Sequence, residues 1–307
     1  MLSAMLLLPL LAQDVQLSYE APTMYIAGEP FEVTVSAVAT GDAAVPAWSL
    51  TPAAFAVDGT PLAGRADDAF LTLVGGQTLT TSFDLSSALS EVDLSGRAFQ
   101  LAFDPGGGDA AEITLLLAAP QGIDFMTLPA EQLADYQVVM QTVAGTLLME
   151  FWPDVAPNHT RNFLDLAYTG YYDDSHFHRV VPGFMIQGGG APQGKPAPRM
   201  LKNEFNERRH VPGVLSMARF GVDTRDAEGK VIPANDSATS EFFVMHAVYP
   251  SLDGKYTGFG KLVEGLDVVE TIVRSGNPAF PRQDSRAHKP PVRQTVYKAI
   301  VVKAPKR

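Results

Sequence analysis

The run Phe177-His178-Arg179-Val180-Val181-Pro182-Gly183-Phe184-Met185-Ile186-Gln187-Gly188-Gly189 decides how this chain is read. On an extended strand, side chains two apart share a face, so Met185 and Gln187 look out together. Glu241 and Phe243 repeat the arrangement farther along the chain. Each strand thereby sets a polar group beside an apolar one, as a groove for a peptide requires. Arg179 adds a cation that stays charged at any physiological pH and points several donors in fixed directions.

Working outward, three later segments continue the pattern in order. They are Gly213-Val214-Leu215-Ser216-Met217-Ala218-Arg219, then Ser237-Ala238-Thr239-Ser240-Glu241-Phe242-Phe243, then Leu252-Asp253-Gly254-Lys255-Tyr256 with Phe259-Gly260-Lys261-Leu262-Val263-Glu264-Gly265. Together with the first run, these blocks resemble the cyclophilin-type peptidyl-prolyl cis-trans isomerases over roughly residues 136–303. The resemblance implies a closed eight-stranded antiparallel barrel capped by two helices, with a substrate groove on its outer face. It implies proline-containing polypeptides as partners, with Arg179 catalytic. Phe184, Met185 and Phe243 would form an apolar floor, Leu252 a wall, and Gln187 would hold the peptide backbone or Arg179. The backbone around Ala218 would take the residue before proline, and Tyr256 and Glu241 would complete the binding surface. No cofactor is implied.

The chemistry accounts for those residue types. An Xaa-Pro bond favours trans by only about 0.5–1 kcal/mol, yet exchanges over tens to hundreds of seconds. Its barrier of roughly 18–20 kcal/mol is amide resonance, lost when the bond twists. Lowering that barrier by about 7 kcal/mol accelerates exchange on the order of 10⁵-fold. No covalent step is needed. The protein must grip the proline ring and bind the twisted amide better than the planar one. A twisted proline nitrogen regains its lone pair, to which Arg179 can donate.

Three positions depart from the resemblance. Ser251 stands where an aromatic is common, which thins the pocket wall. Tyr256 stands where histidine is common. Glu241 replaces a usual glutamine, and its carboxylate is expected to pair with Arg179 and compete for its donors. The connection from Phe220 to Asp236 is longer than in minimal members of the family and reads as an exposed loop beside the groove.

The remainder of the chain is different in kind. Its 307 residues suit two domains. Residues 1–135 hold 17 acidic side chains against Arg65 and Arg97, whereas residues 136–307 hold 17 acidic and 21 basic ones. These net charges of -15 and +4 mark a break near residues 120–135. The acidic half repels phosphate backbones, which argues against nucleic acid as a partner. There is no cysteine, so disulfides and thiolate metal sites are excluded.

Residues 1–12 are almost wholly apolar, too short to span a bilayer and suited to the core of an export signal, although without a basic leader. Residues 13–119 show about seven short runs, near Val15–Tyr19, Phe31–Val35, Ala53–Val57, Phe70–Val74, Leu79–Leu85, Phe99–Phe103 and Ile113–Leu117. Gly, Pro, Asp and Ser clusters separate them, and no helix is evident. The expectation is a β-sandwich of immunoglobulin-like architecture. Residues 120–135 read as a linker with a helical turn at Ala130–Ala134, and residues 136–307 as the second domain. That domain is expected to open with a hairpin, Val138–Thr142 and Thr146–Phe151. One helix should start at Pro157 with an apolar stripe of Phe163, Leu166 and Ala167, and another should run over about Gly265–Arg274 with Leu266, Val269 and Val273 inward.

Other constellations carry less. His176 and His178 alternate but lack a third metal ligand. Gly188-Gly189-Gly190 lacks the Lys-Ser/Thr of a phosphate-cradling loop. Two rival functions remain at this stage: a barrel that binds proline segments without turnover, and an adhesion protein led by the first domain.

Overall fold

The structure, a computed structural model, describes residues 6–9, 14–64, 69–92, 94, 98–106, 110–190, 195, 198–226, 228–276 and 288–304. It is mostly β with few helices, and it divides into two compact units, residues 2–117 and 118–307.

In the first unit, Leu6–Pro9, Val15–Glu20, Glu32–Ala39 and Thr78–Asp84 form an antiparallel sheet in that order. Val15, Leu17 and Tyr19 are buried while Gln16 and Glu20 are exposed, the period-two alternation of a half-buried strand. A second set runs Thr60–Pro61, Phe55–Val57, Ala98–Phe103, Ala111–Ala118, with Met24–Ile26 parallel to the last. Ala43–Pro46 pairs with Phe70–Leu73. Tyr19 of the first sheet meets Phe55 and Phe103 of the second, with ring centroids 5.5 and 5.2 Å away.

Two expectations for this unit are corrected. Ala53 lies in a 3-10 turn, Pro52–Ala54, because Pro52 suits a first helical position and the Thr51 hydroxyl accepts from the Ala53 amide. The strand starts only at Phe55. A short helix, Ser86–Leu89, also follows Thr78–Asp84, and Asp84 starts it by accepting from the Ser86 and Phe31 amides. Of the apolar run over residues 1–12, only the backbone of Leu6–Pro9 lies within the described residues.

The second unit opens earlier than the sequence suggests. Phe125 and Leu133, expected in a linker, are fully buried in the same core as Val138, Met149 and Phe163. Phe125 meets the rings of Tyr136 and Tyr168 edge-on. Residues 118–135 thus pack as part of the unit, with a helical turn at Ala130–Leu133.

The hairpin Tyr136–Thr142 and Gly145–Phe151 follows. The helix Pro157–Tyr168 buries Phe163, Leu164, Leu166 and Ala167. It ends at Gly170, whose φ of +69° lets its amide reach the Ala167 carbonyl and that of Tyr171 reach Leu166. The pairing path then runs Arg179–Val181, Met185–Gly188, Phe242–Met245, Val214–Met217, Gly258–Glu264, Gly145–Phe151, Tyr136–Thr142, Gln294–Lys303, all antiparallel. His176–Phe177 pairs with Gln294–Lys303. The helix Leu266–Arg274 buries Val268, Val269, Ile272 and Val273. Val269 and Val273 are buried as expected, but Leu266 is 49% exposed, because the face they share with Val268 and Ile272 runs back to Gly265 at the first turn.

Candidate active site

The strand Phe242–Met245 is buried on both faces, and this positions the site. Phe242 and Val244 belong to the main core with Phe163 and Phe259. Phe243 and Met245 turn the other way and form a separate cluster with Met185 and Val214. Against that cluster pack Phe184, Ala218, Leu252, Tyr256, Trp152 and Val181. The apolar residues singled out from the sequence therefore meet in one place, although they come from segments up to 72 residues apart.

Strand register sets a row of side chains beside this cluster. Arg179 lies opposite Gln187, Gln187 opposite Phe243, and Phe243 opposite Ser216. Residues paired in this way share a face. Exposed Arg179 donates from Nη1 to Gln187 Oε1 at 3.1 Å, and Gln187 donates from Nε2 to Glu241 Oε2 at 2.8 Å. His178 Nε2 stands 3.6 Å from the same carboxylate oxygen. The expected direct pair between Glu241 and Arg179 is corrected. The amide of Gln187 stands between them, so Glu241 engages Gln187 and His178 and leaves the other guanidinium donors uncontested by its carboxylate.

Ala218 is held by its own backbone, its amide donating to the Glu241 carbonyl at 2.9 Å. Its carbonyl, rather than its N–H, is what a peptide could use. The next residue, Arg219, lays its guanidinium 4.5 Å over the Tyr256 ring, and Tyr256 meets Phe243 edge-on at 5.8 Å. Leu252 ends a short 3-10 turn, Pro250–Leu252, and accepts the Tyr256 amide at 3.1 Å. Ser251 is exposed, and an aromatic wall comes instead from Tyr249, whose ring lies 4.4 Å from that of Phe184.

Several residues of the site carry no signal in the sequence. His210 is fully buried and stacks on Phe243 at 6.2 Å. Its Nδ1 stands 2.9 Å from Asp253 Oδ1 and its Nε2 3.0 Å from Ser216 Oγ. Hydrogen bonding from the His210 backbone, then from its ring, holds the Asp253 carboxyl below the usual carboxylate range. An Asp-His-Ser array suggests a nucleophile. Here Ser216 is completely buried and donates to the Thr257 carbonyl, so the array is a strut under Phe243. His246 does a similar job beneath the Gly183 turn, accepting the Gly183 amide at Nδ1 while its Nε2 lies 2.6 Å from Glu270. Trp152 has no local signal at all. Met245 does have one, lying two residues beyond Phe243.

His176 and His178 have ring centroids 6.1 Å apart. Burial, then the neighbouring Arg293 and His178 charges, lowers the His176 pKa. Among the described residues no group of three or more His, Asp or Glu side chains is placed to hold a metal.

The family described as cyclophilin type peptidyl-prolyl cis-trans isomerase/CLD matches residues 137–296. A peptidyl-prolyl cis-trans isomerase of Synechococcus elongatus is 38% identical over 146 residues, covering 46% of this chain and 90% of that protein. Peptidyl-prolyl cis-trans isomerase B of Bacillus subtilis is 38% identical over 127 residues, covering 40% of this chain and 80% of its own length. A cyclophilin-type isomerase of Cryptosporidium parvum, solved in the presence of the dipeptide Ala-Pro, aligns with 55% of this chain and 99% of its own at 28% identity and a TM-score of 0.44. The chain belongs to the cyclophilin-type peptidyl-prolyl cis-trans isomerase family.

Proposed function

We propose that the second unit isomerises Xaa-Pro bonds of polypeptides, with Arg179 as the catalytic residue and the cluster around Phe243 as the proline pocket. The observation that carries this is the row Arg179–Gln187–Phe243, which sets an exposed guanidinium one strand beyond an apolar floor. The proline ring would lie on Phe243, Met185 and Phe184, between Leu252 and Tyr256. The twisting amide nitrogen would then face Arg179. Only the twisted state offers that lone pair, so the hydrogen bond stabilises the transition state over the ground state. Gln187 aligns the guanidinium, Glu241 aligns Gln187, and the Ala218 carbonyl accepts from the peptide backbone. Folding of proline-containing proteins is the process served.

NMR exchange measurements on an Ala-Pro peptide test the assignment. Wild type should accelerate exchange, and Arg179→Ala should lower kcat/KM by about 10²–10³-fold, the cost of removing one preorganised donor. Full activity in Arg179→Ala would remove Arg179 from the mechanism. No acceleration by wild type would leave a module that only binds.

Three finer readings accompany this one. An eight-stranded barrel capped by two helices is supported by the two ends of the pairing path. Arg179–Val181 begins it, and His176–Phe177, one residue upstream, bonds to its last strand. A β-sandwich in the first unit is supported by two sheets that bury Tyr19, Phe55 and Phe103 together. Export is supported by the apolar run of residues 1–12, and mass spectrometry of the mature N-terminus would test it.

A further inference from the structure

Residues 220–226 and 228–236 fold back on each other as the two arms of a hairpin that leaves the groove at Arg219. Thr224–Arg225 pairs with Val231–Ile232, the Lys230 amide donates to Asp226 Oδ1, and Arg225 reaches the Gly229 carbonyl. Its base is tied twice, by the Ala234 amide to Asp223 Oδ1 at 2.8 Å and by the Phe220 amide to Ser237 Oγ at 2.9 Å. Polar groups are thus spent on holding the shape, while apolar ones face water. Phe220 is 50% exposed, Val222 73% and Val231 46%. One foot of the hairpin follows directly from the groove. The Phe220 carbonyl accepts from Arg219 Nη1, and that same guanidinium covers the Tyr256 ring. The other foot leads through Ser237 to Glu241.

A folded element that displays three apolar side chains beside a peptide groove is suited to a second stretch of the same peptide. We propose that this hairpin extends the groove and binds apolar side chains flanking the proline in unfolded polypeptides, adding affinity for protein substrates that short peptides do not draw on. The proposal rests on the isomerase reading for its substrate. Its test reads binding separately from turnover.

The full-length triple variant Phe220→Ser, Val222→Ser, Val231→Ser changes only exposed side chains. Its affinity for a reduced, carboxymethylated, permanently unfolded protein that contains proline is measured by fluorescence anisotropy. Exchange of an Ala-Pro tetrapeptide is measured by NMR alongside. The variant should bind the unfolded protein roughly tenfold more weakly, the worth of leaving about two methylene groups unburied, and turn over the tetrapeptide at the wild-type rate. Unchanged affinity for the unfolded protein overturns the proposal and leaves the isomerase standing. Equal losses on both substrates also overturn it, because the hairpin would then shape the pocket itself. Hairpin-dependent binding by a wild type that turns over no tetrapeptide would sink the isomerase reading and keep the docking surface. A wild-type dimer that the variant abolishes would reassign the patch to a second copy of the chain and overturn the proposal.

Discussion

Gln187 stands between a guanidinium and a carboxylate, and one orientation of its amide satisfies both. Arg179 can only donate, so it needs the amide oxygen; an ionised Glu241 can only accept, so it needs the amide nitrogen. A flipped amide would set donor against donor on one side and acceptor against acceptor on the other. Glutamine at position 241 could present either group and would leave the flip open. Glu241 thereby fixes Gln187, and through it Arg179, while its charge is intact. Glu241→Gln should therefore lower kcat/KM for an Ala-Pro peptide by up to about tenfold, the worth of one hydrogen bond to a charged group. An unchanged kcat/KM would show that the carboxylate does not position the guanidinium.

The helix Pro157–Tyr168 begins without a capping side chain at its own N-cap, Ala156. Glu204, from a distant segment, supplies the cap, accepting from the backbone amides of Asn158 and His159 and from both side chains. Burial alone would raise the Glu204 pKa, yet the hydrogen bonds from His159 and Asn158 hold it below the usual value. A carboxyl depressed in the folded state stabilises fully above its unfolded pKa of about 4.3, and the gain is lost as pH falls through the folded value. Glu204→Gln should lower stability by about 2–3 kcal/mol at neutral pH, as for a hydrogen-bonded charge, and by less in acid. Urea denaturation at both pH values measures the difference, and an equal loss at both would refute the charge-dependent cap. A second constraint lies in the motif itself. Gly189 has a φ of +78°, and a Cβ there would sit 2.5 Å from the Ser240 carbonyl oxygen. Gly189→Ala should push Ser240 and Glu241 away from Gln187, lowering kcat/KM and stability together, whereas retention of both would show that this strand can yield.

Where the second unit begins is settled by packing. Ala119, Phe125 and Leu133 belong to its core, so a chain starting at Ala118 should fold and isomerise by itself. One starting at Tyr136 would lose the buried Phe125 ring, a truncation comparable to a Phe→Ala change costing about 3–5 kcal/mol, and Leu133 besides. Thermal unfolding of the two fragments would distinguish them, and equal midpoints would restore residues 120–135 to the status of a linker. Composition pointed elsewhere because the charge break near residues 120–135 tracks which surface is solvated, not which apolar side chains are covered.

The sequence by itself carried the family, through four ordered blocks that resemble it, and it determined which candidate side chains share a face, because strand periodicity is local. Met185 with Gln187, and Phe243 with Met245, share faces whatever the rest of the chain does. Helix limits were legible for the same reason, from Pro157 at one start and Gly170 at one stop. Tertiary structure alone decided which faces meet. The register Arg179–Gln187–Phe243–Ser216 depends on hydrogen bonds between segments far apart in the chain. It put Gln187, rather than Arg179, against Glu241, and it brought His210 and Trp152 to a floor that no periodicity assigns them. The linker that became core and the Leu266 that turned to water were decided likewise, by the burial of apolar area, which only a folded neighbour can provide.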